Sequence, residues 1–112
     1  MPRTDATSPT SHAAQRSHPR VRANFMVKLQ VNEERTVLAK ARDLSMAGLY
    51  LFGNVDGVGQ TVGIRIPFPN DREVVAACQV KRRGPDGIGL SFASVDWDDL
   101  FALARFLYPR LP

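Results

Sequence analysis

Two short groups of polar residues have types and spacings suited to holding a small ligand. Asp43, Ser45 and Gly48 form a D-x-S-x-x-G pattern, which places a carboxylate, a hydroxyl and a bare stretch of backbone on one short corner. A short polar ligand could be met there from three sides. Arg16 and Arg20 form an R-x-x-x-R pair earlier in the chain, and arginine makes planar, bidentate contacts with phosphate groups and base edges.

Each group also has a simpler explanation. Asp and Ser commonly turn a chain by bonding to nearby backbone, and Gly commonly supplies a positive φ in turns. An arginine pair can arise by chance in a chain that holds 15 Lys and Arg residues. The two groups therefore indicate a function only through their order and their placement on the surrounding elements.

The distribution of charge favours an anionic partner. The formal net charge is +4, of which residues 1–22 contribute +3 and residues 23–112 contribute +1. No acidic residue lies between Asp5 and Glu33. The positive charge is therefore concentrated around the arginine pair, where it attracts anions rather than cations.

Composition excludes several classes of site. Cys78 is the only cysteine, and His12 and His18 are the only histidines, so neither a thiolate zinc cluster nor a three-histidine metal site can be built. An enzyme is the least expected class, because Asp43 and Ser45 have no histidine near them in sequence. No run approaches the ~20 apolar residues of a membrane span, and no charged-then-apolar leader opens the chain. We therefore expect a cytoplasmic protein with no metal, no cofactor and no membrane insertion.

Hydrophobic periodicity predicts the elements that position the two groups. Residues 1–15 have no hydrophobic period and are rich in Ser, Thr, Ala and Pro, which predicts a disordered tail. Residues 16–20 form an arginine arm, and residues 21–93 contain six apolar runs separated by turn residues. Six short strands of this kind predict an antiparallel barrel, because closure removes exposed sheet edges. The predicted strands are Val21–Val31, Thr36–Arg42, Leu49–Phe52, Thr61–Phe68, Glu73–Lys81 and Ile88–Phe92.

The last segment changes to a period of 3.6, which predicts a helix over residues 96–108. Ser94 or Asp96 can cap its first turn, and Pro109 ends it. We expect the helix to plug one open end of the barrel with its apolar face. That predicted inner face consists of Trp97, Leu100, Phe101, Ala104, Leu107 and Tyr108.

The order of these pieces resembles the PilZ-domain family, the bacterial receptors for cyclic di-GMP. The resemblance covers residues 16–108. It rests on the R-x-x-x-R pair before the first strand, on a D-x-S-x-x-G corner that matches the family pattern D/N-x-S-x-x-G, and on the late strand Gly87–Phe92 with its closing helix. It implies an all-β fold with a C-terminal α-helix, namely a six-stranded antiparallel PilZ-like β-barrel within a domain of residues 16–112. It also implies a non-catalytic adaptor that acts on a downstream protein in a motility, polysaccharide or regulatory system.

The resemblance implies a clamp in which the arginine arm closes over a nucleotide seated on the corner. Arg16 and Arg20 would pair with phosphate oxygens or with the O6/N7 edge of guanine. Asp43 would accept hydrogen bonds from guanine N–H groups. The phosphate groups of the ligand have no N–H donors, so this contact would be made to the base. Ser45 would add a hydroxyl contact, and Gly48 would allow close approach because it has no Cβ.

Further residues could extend this site. Gln15 precedes the arginine pair at a position where the family varies, which leaves open whether one or two cyclic di-GMP molecules bind. The gain from a few charged hydrogen bonds is comparable to the cost of ordering the arm, so we expect reversible binding near the micromolar range. Other arginines could extend the site or be solvated surface, and solvated surface is the expectation for most; they are Arg22, Arg42, Arg65, Arg82 and Arg83.

Two other functions are compatible with such a barrel. One is a PilZ-like protein–protein interaction adaptor that does not depend on nucleotide; the presence of every motif residue argues against it. The other is a small barrel that binds single-stranded nucleic acid through a basic groove and exposed aromatic side chains. Most aromatic residues here fall at positions predicted to face the core or the helix, and the barrel is almost neutral. We therefore expect no nucleic-acid partner.

Overall fold

The computed structural model describes residues 18–53, 58–68 and 73–111. This part of the chain contains seven antiparallel strands and one C-terminal helix. The predicted tail and Arg16 lie outside these residues. No helix within them is long and apolar enough to cross a membrane. The elements are β1 (Val21–Arg22), β2 (Met26–Asn32), β3 (Arg35–Leu44), β4 (Gly48–Phe52), β5 (Thr61–Ile66), β6 (Val74–Arg83), β7 (Gly87–Val95) and α1 (Trp97–Leu107), which a 3₁₀ turn (Tyr108–Arg110) follows.

The six strands β2 to β7 close into a ring. They pair in the order β3-β2-β5-β6-β7-β4, and β4 pairs again with β3. The predicted six-stranded antiparallel barrel with a C-terminal helix is therefore confirmed. Strand β1 is a two-residue addition that pairs with the end of β3.

The first predicted strand is interrupted, and the interruption positions the arm. Arg22 in β1 pairs with Asp43 in β3. The next residue still follows the same strand, because the Ala23 N–H donates a 2.9 Å hydrogen bond to the carbonyl oxygen of Arg42. The segment that carries Arg20 into the barrel is thereby held beside Asp43.

The barrel interior is filled by the apolar face of each strand, as the period of two predicts. Cys78 is completely buried there and acts as a small hydrophobic residue, as expected. Its burial raises the pKa of the thiol to about 12. The core side chains include Val27, Leu29, Ala41, Leu44, Leu49, Leu51, Ile64, Ile66, Val74, Ile88 and Leu90.

The helix buries a different face from the one predicted. Of the predicted inner face, only Leu107 is buried. Trp97, Phe101 and Tyr108 are 77%, 58% and 68% exposed, and Leu100 and Ala104 are half-buried. The predicted face is therefore wrong. Its large side chains point away from the barrel.

A second apolar stripe at the same spacing explains the orientation. Ala102, Leu103 and Leu107 are buried. Phe106 stacks on the Phe68 ring at 4.5 Å between centroids. Two stripes on opposite sides of one helix have similar hydrophobicity, so the 3.6 period alone does not decide which one packs on the barrel.

A buried carboxylate also fixes the helix orientation. Asp99 is 3% exposed, and its Oδ2 accepts a 3.4 Å hydrogen bond from the Val75 N–H. Asp96 occupies the N-cap position, but its side chain makes no capping hydrogen bond. Its carbonyl oxygen instead accepts from the Leu100 N–H at 2.8 Å. The acidic first turn therefore serves packing against β6 in addition to the helix dipole.

Candidate functional site

The D-x-S-x-x-G corner adjoins a row of residues that crosses five strands on the outer face of the barrel. Directly paired residues in a sheet share a face, and the neighbours of Arg22, Tyr50 and Gly89 along their strands are buried. The row therefore places one carboxylate, one aromatic ring and two arginines side by side on the outer face. In order across β1, β3, β4, β7 and β6, its members are Arg22, Asp43, Tyr50, Gly89 and Arg82.

Two β-bulges flank Tyr50 in this row and each turns an additional charged side chain outward. In β3, a register shift leaves Arg42 and Asp43 together opposite Tyr50, between two buried residues. In β6, a similar shift precedes Arg82, and both Lys81 and Arg82 are exposed. Bulges commonly re-aim side chains at functional sites. Here they place Arg42 beside Asp43 on one side of Tyr50 and Lys81 beside Arg82 on the other side.

The carboxylate of Asp43 is held by two arginines. Arg20 Nη1 donates to Oδ1 at 2.5 Å, and Arg42 Nε donates to Oδ2 at 2.9 Å. The Asp43 side chain is 14% exposed, whereas that of Arg20 is 55% exposed. A guanidinium has five N–H donors, so Arg20 keeps donors for a second anion while it contacts Asp43.

Ser45 shapes the corner from inside. Its side chain is 1% exposed. The Oγ accepts hydrogen bonds from the Ala47 N–H at 3.0 Å and the Gly48 N–H at 3.2 Å, and the Ser45 N–H donates to the Gly48 carbonyl oxygen at 2.8 Å. These bonds fix the backbone between β3 and β4, a common task of serine in turns. A direct contact between this hydroxyl and a ligand stays a prediction.

Gly48 is required by the neighbouring strand. It pairs with Ser91, and a Cβ at this position would lie 2.0 Å from the Leu90 carbonyl oxygen. A larger residue would therefore push β4 away from β7. Among the described glycines a positive φ occurs at Gly53, so the simple turn explanation does not account for Gly48.

Tyr50 is a site residue that the sequence pattern did not single out. Its ring is only 4% exposed although it lies on the outer face. The guanidinium carbons of Arg42 and Arg82 lie 3.9 Å and 5.8 Å from the ring centroid. The Tyr50 hydroxyl donates to Asp86 Oδ1 at 2.5 Å. This hydrogen bond raises the pKa of Tyr50 and lowers the pKa of Asp86.

The sequence does contain signals for Tyr50 and Lys81, the two residues that it did not single out. Tyr50 alternates with Leu49 and Leu51, so a period of two places its ring on the outer face. Two successive charged residues inside an alternating strand, as at Lys81 and Arg82, indicate a bulge. Neither signal by itself shows that these side chains meet the D-x-S-x-x-G corner, because that depends on strand order.

A cavity of about 560 Å³ lies beside the corner. Its basic lining residues are Arg20, Arg42, Lys81 and Arg82, and no acidic residue is among its lining residues. A second cavity of about 450 Å³ shares Arg20 and Arg42 and adds Asp43. Ligand pockets commonly have volumes of about 300–1,000 Å³. The basic lining of the two cavities suits an anionic ligand, and Asp43 adds a hydrogen-bond acceptor to the second cavity.

Most of the residues predicted for the site lie together. Arg20, Arg42 and Asp43 form one ion-paired cluster, next to the corner that Ser45 and Gly48 build. Arg22 lines the second cavity. The predicted contributions of Arg16 and Gln15 lie outside the described residues.

Two arginines that the sequence left open have other partners. Arg65 Nη1 pairs with Glu73 Oε1 at 3.5 Å, and neither cavity includes it. Arg83 Nη2 donates to the carbonyl oxygens of Val58 and Gly59 at 2.7 Å and 3.1 Å. Both arginines therefore have partners in the barrel, and neither of them lines the two cavities.

Comparison with known proteins identifies the family. The family model of the PilZ domain matches residues 14–108. The chain therefore belongs to the PilZ domain family, a family of cyclic di-GMP receptors and adaptors. A search of the curated proteins found no match.

Solved structures share the fold. The structure of the Bacillus subtilis inhibitor of motility (MotI/DgrA) is similar with a TM-score of 0.71 and 20% identity, over 86% of this chain and 50% of that chain. The PilZ domain of CeSA from a cellulose synthesizing bacterium is similar with a TM-score of 0.57 and 21% identity, over 80% of this chain and 95% of that chain. The present chain thus spans about half the length of MotI/DgrA.

Proposed function

We propose that this chain is a non-enzymatic, cytoplasmic receptor for cyclic di-GMP and an adaptor for a downstream protein. The nucleotide sits on the D-x-S-x-x-G corner, and the arm that carries Arg20 closes over it. The observation that carries the proposal is the cavity of about 560 Å³ lined by four basic side chains beside that corner. Membership of the PilZ family supports the same ligand.

The basic side chains suit the two phosphates of the ligand. Arg20, Lys81 and Arg82 are exposed, so they can reach phosphate oxygens without leaving a buried position. Charge-assisted hydrogen bonds of this type contribute about 1.5–3 kcal/mol each. Several such bonds offset the cost of ordering the arm, which supports reversible binding near the micromolar range.

Asp43 and Arg42 suit guanine. The carboxylate of Asp43 accepts the N–H donors of the guanine Watson–Crick edge, and Arg42 already orients it through Oδ2 at 2.9 Å. The Arg42 guanidinium lies over the Tyr50 ring, while its side chain remains 41% exposed. Nucleobases stack on arginine planes, so the exposed side of the Arg42 guanidinium offers a flat surface for one base and the Tyr50 ring supports its other side.

The contact between Arg20 and Asp43 supplies the switch. Guanine donors would replace Arg20 at Oδ1 of Asp43, and Arg20 would then turn to a phosphate. The arm would move as a consequence and present a different surface to the downstream protein. Arg16 is assigned to the same arm by its R-x-x-x-R spacing to Arg20, and Gln15 bears on whether a second nucleotide binds.

Isothermal titration calorimetry with cyclic di-GMP tests the proposal. We expect the wild-type chain to bind and Arg20→Ala to bind about tenfold or more weakly, because one charge-assisted hydrogen bond is lost. Arg65→Ala is the matched control, since this arginine pairs with Glu73 away from both cavities. Absence of heat at high micromolar ligand would overturn the ligand assignment. Normal binding by Arg20→Ala would overturn the role of the arm.

A further inference from the structure

The outward side of α1 carries an aromatic stripe that the described part of the fold leaves exposed. Trp97, Phe101 and Tyr108 are 77%, 58% and 68% exposed. Together with the half-buried Ala104 they form the outer stripe, which recurs at helical spacing on the side opposite Leu103 and Phe106. The rings of Trp97 and Phe101 lie 6.4 Å apart between centroids, so the stripe is continuous over the first turn.

The stripe is large for a surface that remains in water. An aromatic side chain presents about 150–250 Å², so the exposed fractions of these three rings correspond to roughly 400 Å². Apolar patches of this size on soluble proteins commonly serve binding. Neither cavity at the corner includes a residue of α1, so the stripe is separate from the proposed nucleotide site.

We propose that the outer stripe is the interface of a homodimer in which two copies of α1 pack antiparallel about a two-fold axis. In this arrangement Trp97 lies opposite Tyr108 of the second copy. Phe101 lies opposite Ala104 of the second copy, whose small side chain leaves room for the ring. The stripe is therefore complementary to itself in size, as a two-fold interface requires.

The charges beside the stripe select a second copy in the antiparallel direction. The first turn of α1 is acidic and the last turn carries Arg105. Asp98 and Arg105 lie on the same flank of the stripe, two helical turns apart. Antiparallel packing brings this flank against itself and places Asp98 of each copy beside Arg105 of the other. Parallel packing would place this flank against the opposite flank of the second copy and would form no such pair.

The area sets the strength of the dimer. The two stripes together bury roughly 800 Å² of aromatic surface, and the flanks add a smaller area. The total buried area is below the ~1,600 Å² that is usual for a stable interface. We therefore expect a weak dimer with a dissociation constant of about 10–100 μM. Since the stripe lies apart from both cavities, dimerisation does not require cyclic di-GMP.

Sedimentation equilibrium over a range of chain concentrations tests the interface. We expect wild-type chain to associate to a dimer and Phe101→Ser to remain monomeric at the same concentrations. Leu38→Ser is the matched control, because Leu38 is 63% exposed on β3, and it should associate like wild type. Circular dichroism confirms that the variants fold. A wild-type chain that stays monomeric up to about 1 mM, or a dimer that Phe101→Ser leaves intact, would overturn the proposal; a monomer would leave the stripe to a partner of another sequence.

A charge exchange tests the antiparallel arrangement separately. Asp98→Arg and Arg105→Asp should each weaken self-association about tenfold, because each variant opposes like charges across the two-fold axis. An equimolar mixture of the two variants should recover a heterodimer, since opposite charges then face each other. A mixture that stays monomeric, or single variants that associate as wild type does, would overturn the arrangement.

Discussion

Asp43 is the residue on which the two sequence motifs meet. It belongs to the D-x-S-x-x-G corner, and its two carboxylate oxygens accept from Arg20 of the arm and from Arg42 of the β3 bulge. The corner is therefore not an isolated turn. The carboxylate holds Arg42 at Oδ2. In the proposed function, a ligand with N–H donors replaces Arg20 at Oδ1.

Replacement of Asp43 should change which base is preferred. In Asp43→Ala we expect the ratio of affinities for cyclic di-GMP and cyclic di-AMP to fall about tenfold, because the acceptor for the guanine N–H donors is lost. Calorimetric titration with both nucleotides measures the ratio. Glu73→Ala removes an ion-paired carboxylate distant from the corner and should keep the wild-type ratio. An unchanged ratio in Asp43→Ala would remove Asp43 from base recognition.

The Tyr50–Asp86 hydrogen bond should make stability depend on pH at both ends of the range. The pKa of Asp86 lies below its usual 3.8, so its contribution is present above that value and is lost as the pH falls through the lowered pKa. The pKa of Tyr50 lies above its usual 10.0, so its contribution is present below that value and is lost as the pH rises through the raised pKa. The free energy of unfolding of wild type should exceed that of Tyr50→Phe at neutral pH.

Urea unfolding across the pH range checks this expectation. The difference between wild type and Tyr50→Phe should be constant near neutrality and should shrink below about pH 4 and above about pH 10. Tyr108→Phe, at an exposed position, is the control and should follow wild type. A difference that does not vary with pH would show that the hydrogen bond does not control these ionisations.

At the scale of elements, the strands were predicted and the bulges were not, although a pair of successive charged residues marks each of the two bulges that flank Tyr50. Alternation from residue 21 onward predicts which strand faces are buried, and closure follows from six such strands. The shift at Arg42 and Asp43 depends on how β3 pairs with β4, which periodicity along one strand does not contain. Tyr50 and Arg82 meet only because β7 lies between β4 and β6.

The prediction of the helix is confirmed in position, but the predicted buried face is wrong. Residues 97–107 are helical, close to the expected 96–108. The prediction assumed that the stripe with the largest aromatic residues packs inward. Phe106 stacks on Phe68 instead, and Asp99 bonds to the backbone of β6. Contacts with the barrel determine which of the two apolar stripes of the helix packs inward. The hydrophobic periodicity of the helix sequence contains no information about those contacts.

Gly48 should be intolerant of any side chain because of the strand beside it. In Gly48→Ala the new Cβ would meet the Leu90 carbonyl oxygen at 2.0 Å, and overpacking of this kind costs about 1–3 kcal/mol of unfolding free energy. Urea denaturation measures the loss. Gly59→Ala is the control, because a Cβ there has no atom within 4 Å. Equal stability of the two variants would contradict the close approach of β4 and β7.

Cys78 should be unreactive in the folded barrel. Its side chain is fully buried, and burial raises the pKa of the thiol to about 12, so almost no thiolate forms near pH 8. We expect a thiol reagent to label the native chain far more slowly than the chain in urea. Rapid labelling of the native chain would contradict the burial of β6 in the core.

At the scale of the whole molecule, the barrel separates two surfaces. The basic cavity lies on the outer face of β3, β4, β6 and β7 beside the corner, whereas the outer stripe lies on α1. Ligand binding and self-association can therefore be altered one at a time by substitution. In the proposed function, the output is a change in the surface that the arm presents.

Mapping of backbone amide chemical shifts during titration with cyclic di-GMP tests the central claim most directly. The largest shifts should occur at Arg20, at residues 42–50 and at Lys81 and Arg82, and they should saturate together near the micromolar range. Residues of α1 should shift little, which provides an internal control. Saturable shifts confined to another face of the barrel, or no shifts at high micromolar ligand, would contradict the proposed site.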